Sequence, residues 1–270
     1  MYYYKNYSLK NFNTFHLQST AKEVWFPETF PELIGLLNKL QDKSFNVLSY
    51  GSNVLFNGTI DRIICLRKMP NNLSFDSDGF ILSDANVLTN NFAKEVINHN
   101  YKGTEGLLGI PGSVGAAIIG NSGSGKYCIS DFLRLVFVVD YKGNIITYTK
   151  EDLKFSRRYS ILQNKNQILL YALFKFDKLN PDKKIIKQTI NHRKTLPKQP
   201  SAGGVFVEWH ELKPFADKLI GLKVGDAVVS KSINIIINNG AAKYNDIIEL
   251  IQKIKTIVNK NLTLEIKLYE

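Results

Sequence analysis

Gly103-Thr104-Glu105-Gly106-Leu107-Leu108-Gly109-Ile110-Pro111-Gly112-Ser113-Val114-Gly115-Ala116-Ala117, followed shortly by Gly120-Asn121-Ser122-Gly123-Ser124-Gly125, is the stretch on which the reading of this chain turns. Eight of the 23 positions from 103 to 125 are glycine, against about 7% in an average protein. Glycine lets backbone approach another surface closely, and Pro111 stiffens the loop. The density therefore implies main chain held against something large and flat or strongly anionic. A glycine-rich loop packed on a sheet is the plainer alternative. The spacing is not that of the dinucleotide turn Gly-x-Gly-x-x-Gly. Nor is it a P-loop, although Lys126 follows Gly125. Tyr50-Gly51-Ser52-Asn53, at the end of a predicted strand, has similar chemistry on a smaller scale: tight backbone and short side-chain donors.

Outward from these loops, the composition is that of an ordinary globular chain. Its 270 residues are 44% hydrophobic and 22% charged, with a net charge of 35 − 24 = +11. Lys exceeds Arg about five to one and is scattered along the chain, which argues for a solvated surface and against a nucleic-acid partner. Two cysteines, Cys65 and Cys128, exclude a disulfide scaffold and a Cys-x-x-Cys metal pair. The four histidines (His16, His99, His192, His210) fit no metal spacing, so no metal site is expected. The longest apolar runs, such as Ile168 to Phe174, fall far short of the roughly 20 residues that cross a bilayer. The opening MYYYKNYSLK lacks the pattern of a secretory signal. A cytoplasmic chain with no membrane partner is the expectation.

The periodicity predicts α+β structure. Thr29 and Glu32 are spaced as a capping box with Pro31 in the first turn, and Leu33, Leu36, Leu37 and Leu40 share one helical face. Val24 to Phe26 and Phe45 to Ser49 read as flanking strands. Leu73 to Phe75 turns back through Asp78-Gly79, and Leu135 to Tyr141 turns through Lys142-Gly143 into Ile145 to Thr149 as a hairpin. Helices are predicted from about Leu88 to Asn100, around 183–195, and from Asn245, as N-cap, to about Asn259. A strand from Leu262 to Leu268 closes the chain. A domain break falls between 177 and 186.

Three further constellations carry chemistry. In Phe155-Ser156-Arg157-Arg158-Tyr159-Ser160, adjacent arginines suit a solvated face, or else Arg158 clamps a carboxylate bidentately. Pro200-Ser201-Ala202-Gly203-Gly204-Val205-Phe206 reads as a surface loop on these residues alone. Glu265, between Leu264 and Ile266, faces solvent or points into a cleft as an acid.

The order of these pieces resembles one family. Asn13-Thr14-Phe15, Gly51-Ser52-Asn53, Gly106 through Gly115, Asn121-x-Gly123, Arg158-x-Ser160, Ser201-Ala202-Gly203, Gly225-Asp226-Ala227 and Glu265 are together similar to the UDP-N-acetylenolpyruvoylglucosamine reductases, over about residues 10 to 268. The resemblance implies a two-lobed FAD-binding fold of the vanillyl-alcohol-oxidase/PCMH type, followed by a smaller α+β substrate-binding domain. The implied division is FAD on 1–180, in lobes of about 1–68 and 69–180, and substrate on 181–270. It implies FAD as cofactor and NADPH as reductant. A UDP-sugar would be the small-molecule substrate, acted on by a monomer in peptidoglycan precursor synthesis. By resemblance, the cofactor contacts are Tyr50, Gly51, Ser52, Asn53, Gly109, Ile110, Pro111, Gly112, Ser113, Val114, Gly115, Asn121 and Gly123. Arg158 and Glu265 match the family's catalytic pair, and Lys218 matches a basic residue near the substrate diphosphate.

The chain departs from the pattern on the substrate side. The family's proton-donating Ser, sometimes Cys, is Gly204 here, and glycine has no proton to give. Phe206-Val207-Glu208-Trp209 replaces Phe-Lys-Asn-Pro, and Arg157 replaces a Tyr. Three readings follow: a reductase in which water or a neighbour such as Ser201 replaces the hydroxyl, a flavoenzyme for another sugar nucleotide, or a non-catalytic FAD-binding homologue. Cys128 lies outside the motif and is expected to be a packed, inert thiol.

Overall fold

The structure, a computed structural model, describes residues 1–124 and 126–269. It divides into two compact units that do not follow chain order. The first comprises Met1–Tyr2, Trp25–Ser49 and Ile64–Thr195; the second comprises Tyr3–Val24, Tyr50–Ile63 and the chain from Leu196 onward.

The first unit is built on a five-stranded antiparallel sheet. In spatial order its strands are Ile145–Thr149, Leu133–Asp140, Gln167–Lys175, Phe80–Asp84 and Leu73–Phe75. The predicted hairpin forms in the register Leu135↔Thr149 to Val139↔Ile145. The apolar run from Ile168 to Phe174 is the central strand. Buried between two neighbours, it alternates little, as a two-sided core strand should. Helix α1 (Phe30–Leu40) buries Leu33, Leu36, Leu37 and Leu40, the predicted face, against Ile168 and Leu170. Its cap is half the predicted box: Thr29 Oγ1 accepts from Glu32 N–H at 3.3 Å. The Glu32 carboxylate instead reaches Glu28 N–H at 2.8 Å and the terminal ammonium at 2.7 Å.

Helix α2 (Thr89–Asn98) lays Phe92, Ala93 and Val96 into a second cluster with Phe174 and Phe176, and α3 (Val114–Ile119) adds Val114, Ala117 and Ile118 to the same cluster. Helix α4 (Lys183–Thr195) spans the predicted residues and packs in this unit. Buried Glu105 accepts the Asp182 N–H at its start, and Arg193 Nε donates to Leu108 C=O near its end.

In the second unit, α5 (Ala216–Leu219) and α6 (Tyr244–Val258) accompany a small sheet of Lys223–Val224, Ala227–Val229 and Ile236–Asn238. α6 begins one residue before the predicted cap. Its N-cap is Lys243, whose N–H is accepted by the Asp246 carboxylate at 2.8 Å, so Asn245 is an ordinary first-turn residue. Ile247, Leu250, Ile251, Ile254 and Val258 bury its stripe against Phe206, Leu219 and Val229. The predicted closing strand is shorter than expected: Lys267–Tyr269 pairs in parallel with Val54–Phe56, while Leu264 makes an isolated bridge to Phe206. Among the described residues, no helix is long and apolar enough to cross a membrane.

The two thiols differ in burial, and Cys128 is less packed than the sequence leads one to expect. Cys65 is fully buried and burial pushes it up to about 11, while burial raises half-buried Cys128 with help from the Asp131 charge. A disulfide reagent at about pH 8 is therefore expected to react with Cys65 only after denaturation and with Cys128 slowly. Prompt release of two equivalents of thiolate dye from the native protein would contradict this.

Candidate active site

In the first unit the glycine-rich loop is a rigid, largely self-satisfied scaffold. Gly109 N–H donates to Asn90 Oδ1 at 2.8 Å, Ile110 N–H to Leu107 C=O, Val114 N–H to Val87 C=O and Gly115 N–H to Ala85 C=O. Ser113 caps α3 by accepting from Ala116 N–H and lies 3.0 Å from the Ser49 hydroxyl. Pro111 is exposed and Ile110 half-buried. Val114 is fully buried in the core, so its side chain serves packing. Among the described residues, the Gly112 and Ser113 N–H groups have no hydrogen-bond partner. Two adjacent open N–H donors beside a proline-stiffened bend form a cradle for an anionic oxygen.

Downstream, Asn121 adopts a left-handed backbone (φ 43°) and donates through Nδ2 to Ser156 C=O at 2.9 Å. Its Oδ1 is buried without a partner among the described residues. An unpaired buried carbonyl costs about 1–3 kcal/mol, which a ligand N–H or hydroxyl would recover. Gly123 pairs with Cys128, and its C=O accepts from Arg158 Nη1 at 3.2 Å. Arg158, half-buried and left-handed (φ 56°), is further fixed where its own C=O accepts from Gln163 Nε2 at 2.8 Å. Gly125, last of the glycine run, lies outside the described residues.

The second unit holds the other predicted residues. Gly51 is left-handed (φ +68°), and a Cβ there would stand 1.9 Å from Phe12 C=O, so only glycine fits. Thr14 N–H donates to Gly51 C=O, and the buried Asn13 amide ties Leu9 C=O to the Leu17 backbone. Tyr50 and Ser52 are half-buried beside it. Asn53 Nδ2 donates to Glu265 C=O at 2.8 Å, and Lys267 N–H donates to Asn53 C=O. The segment 205–207 runs antiparallel to 263–265: Glu265 N–H donates to Val205 C=O and Val207 N–H to Thr263 C=O. This pairing turns the surface loop of the sequence reading into a braced strand end, and it brings Gly204 to Glu265. A Cβ on Gly204 would stand 3.5 Å from Glu265 Oε2 and 2.9 Å from Asn234 Nδ2. Asn234, which no motif drew attention to, fills the space a residue-204 side chain would need. Its amide is clamped on Phe206, Nδ2 to C=O and Oδ1 from N–H, both at 2.9 Å. Lys218 is exposed on α5.

Residues 21–149 match the FAD binding domain family, and residues 196–268 match the UDP-N-acetylenolpyruvoylglucosamine reductase C-terminal domain. A UDP-N-acetylenolpyruvoylglucosamine reductase of Prochlorococcus marinus is 31% identical over 93% of this chain and 91% of its own length. The chain belongs to that reductase family. A Francisella tularensis reductase of the same name is 32% identical over 96% of each chain. The crystal structure of UDP-N-acetylenolpyruvylglucosamine reductase from Thermus caldophilus superposes with a TM-score of 0.80 at 28% identity, covering 100% of this chain and 98% of that one. The family brings the FAD-binding domain and an oxidoreductase activity expected from sequence, and the observed α+β architecture agrees.

FAD fits the residues present. The open N–H groups at Gly112 and Ser113 suit phosphate oxygens, and the orphaned Asn121 Oδ1 suits a polar ring or ribityl donor. Two neighbours escaped the sequence reading. Asn234 carries no spacing signal because its role depends on Gly204 being small. Arg193 sits in what reads as a polar, solvated helix.

Proposed function

We propose that this chain is an FAD-dependent, NADPH-using reductase converting UDP-N-acetylglucosamine enolpyruvate to UDP-N-acetylmuramate. The observation that carries the reading is the collinear match, over 93% of the chain, to relatives bearing that name. When bound, FAD would supply hydride-transfer chemistry between NADPH, which leaves as NADP⁺, and C3 of the enolpyruvyl group.

The chain's own residues hold the partners of that transfer. FAD is held by Tyr50, Gly51, Ser52 and Asn53, by the loop Gly109 to Gly115, and by Asn121 and Gly123. Arg158 binds the enolpyruvyl carboxylate, its guanidinium kept in place by Gly123 C=O. A guanidinium fixed before the reaction stabilises the negative charge that grows at C2 and on the carboxylate. Hydride at C3 must be matched by a proton at C2, and Gly204 has none. Glu265 is the titratable side chain adjoining Gly204, and in this reading it holds the proton delivered to C2, directly or through a water. Lys218 attracts the substrate diphosphate. In this reading residues 1–180 serve the cofactor, in lobes of about 1–68 and 69–180, and 181–270 the substrate. The protein works as a cytoplasmic monomer in peptidoglycan synthesis, and so in cell shape and division.

The Asn234 amide packed where a serine side chain would stand favours a second reading, an FAD-binding homologue that is non-catalytic or acts on another sugar nucleotide. One experiment separates them. Purified protein is expected to be yellow with bound flavin. After anaerobic reduction by NADPH, stopped-flow mixing with UDP-N-acetylglucosamine enolpyruvate is expected to reoxidise it promptly. Tight binding without reoxidation would favour the non-catalytic homologue, absence of binding would favour another sugar nucleotide, and a colourless protein that takes up no FAD would overturn both.

A further inference from the structure

We infer that Arg193 is a second oxyanion-binding guanidinium of the first unit's half-site, gripping a carboxylate or phosphate of the bound ligand together with Arg158. The identity of that ligand rests on the proposed function; the guanidinium pair does not.

Arg193 lies near the C-terminal end of α4, where a basic side chain ordinarily only complements the helix dipole. Here the side chain leaves the helix and crosses the glycine-rich loop. Its Nε donates to Leu108 C=O at 3.1 Å. A Cβ at Gly109 would meet Arg193 Cγ at 3.1 Å and Cδ at 3.4 Å, so the glycine at 109 is what lets the stem lie flat. With Nε spent, the two Nη groups form the free face of the fork. Among the described residues, no carboxylate or hydrogen-bond acceptor meets them. Buried Glu105 is not the missing partner: its oxygens accept Gly103 N–H and Asp182 N–H, each at 2.8 Å. The second of these donors lies about 16 Å along the axis from Arg193 at 1.5 Å per residue.

The backbone brings Arg158 into the same neighbourhood. Arg158 hangs from Gly123 C=O, and Arg193 from Leu108 C=O. Those two segments touch: a Cβ on Gly106 would be 2.0 Å from Ser124 C=O. Burial, and then the Arg158 charge, both disfavour a charged Arg193. A half-buried guanidinium whose Nη groups meet no acceptor among the described residues is unfavourable until an anion joins it, and planar forks bind carboxylate or phosphate oxygens bidentately.

The test uses the full-length holoprotein and the variants Arg193→Gln and Arg193→Lys. Affinity for FAD is measured on the apoprotein by flavin fluorescence. Affinities for NADP⁺, which carries the NADPH phosphates without reducing flavin, and for UDP-N-acetylglucosamine enolpyruvate are measured on the oxidised holoprotein by flavin absorbance, which needs no turnover. Arg193→Gln is expected to weaken one of the three at least tenfold while leaving the other two, and the melting temperature, near wild type. Arg193→Lys, which keeps stem and charge but loses the fork, is expected to fall between. The ligand affected identifies the oxyanion as flavin diphosphate, NADPH phosphate or substrate carboxylate. If wild type fails to bind the enolpyruvyl substrate, the proposed function fails, and Arg193 is still judged on FAD and NADP⁺. Affinities within twofold of wild type for every ligand in either variant would overturn the inference. So would equal losses for all ligands in both variants, which mark a packing role. Should Arg193→Gln not fold, Arg193→Lys decides alone by the same criterion.

Discussion

Glu265→Gln is expected to lower turnover by about 10²–10⁴-fold, the usual cost of losing a general acid, with flavin still bound and substrate KM within a few fold. The substitution preserves shape and hydrogen bonding. Glu265 also supports the site through its backbone, giving N–H to Val205 and taking the Asn53 amide at its C=O. Neither contact depends on the carboxyl, so the variant isolates proton delivery from positioning. Single-turnover kinetics that follow both flavin and product provide the check. Formation of the protonated product, followed by rapid quench, should slow in Glu265→Gln, more than flavin reoxidation, which reports hydride transfer. A variant that forms product at the wild-type rate would remove Glu265 from the reaction.

Gly204→Ser is expected to behave oppositely in two backgrounds. Gly204 is not among the positive-φ glycines, so its backbone admits a side chain. Space does not: the new Cβ would stand 2.9 Å from Asn234 Nδ2, which is clamped on Phe206. In the wild-type background the serine should cost about 1–3 kcal/mol by overpacking. Asn234→Ala alone strands the Phe206 peptide groups, at about 1–3 kcal/mol for each that stays unsatisfied. Together the two changes remove the clash, so urea unfolding of the double variant should be more favourable than the sum of the singles by about 1 kcal/mol or more. The double variant also regains a hydroxyl beside Glu265, and its kcat should exceed that of Asn234→Ala by roughly 10²-fold where protonation limits turnover. Simple additivity in stability would show that Asn234 does not occupy the serine's place. An unchanged kcat would show that residue 204 is not on the proton's path.

Local chemistry made much of this fold legible. The leucine stripe of α1, the Ile145 hairpin and most of the α6 stripe follow from periods of 3.6 and 2 and from turn residues. In α6 the expected Ile247, Ile251, Ile254 and Val258 are buried, while Ile248 is half-buried and Leu250 takes its place in the core. The central strand Gln167–Lys175 was harder to see, because a strand covered on both faces loses its alternation. Capping contacts shifted by one residue at Glu32 and by two at Lys243, because a carboxylate takes whichever nearby N–H is open. At the site, glycine density and two charged motifs pointed to the loops. The partnership of Gly204 with Asn234 could not be read, since a contact made possible by a missing side chain leaves no residue pattern. Arg193 was hidden for a similar reason: a basic helix end looks the same whether its side chain meets water or folds back over Gly109.

The interleaved path of the chain has a consequence for synthesis. Phe15, Leu17 and Leu55 leave the ribosome early, yet the apolar side chains that cover them, from Ala202 to Ile266, are made last. While the intervening residues of the first unit are translated, these three lack the C-terminal part of their cluster and have only the early segments Tyr3–Val24 and Tyr50–Ile63 of their own unit beside them. A nascent chain stalled before residue 202 exposes them to aggregation or to a holdase.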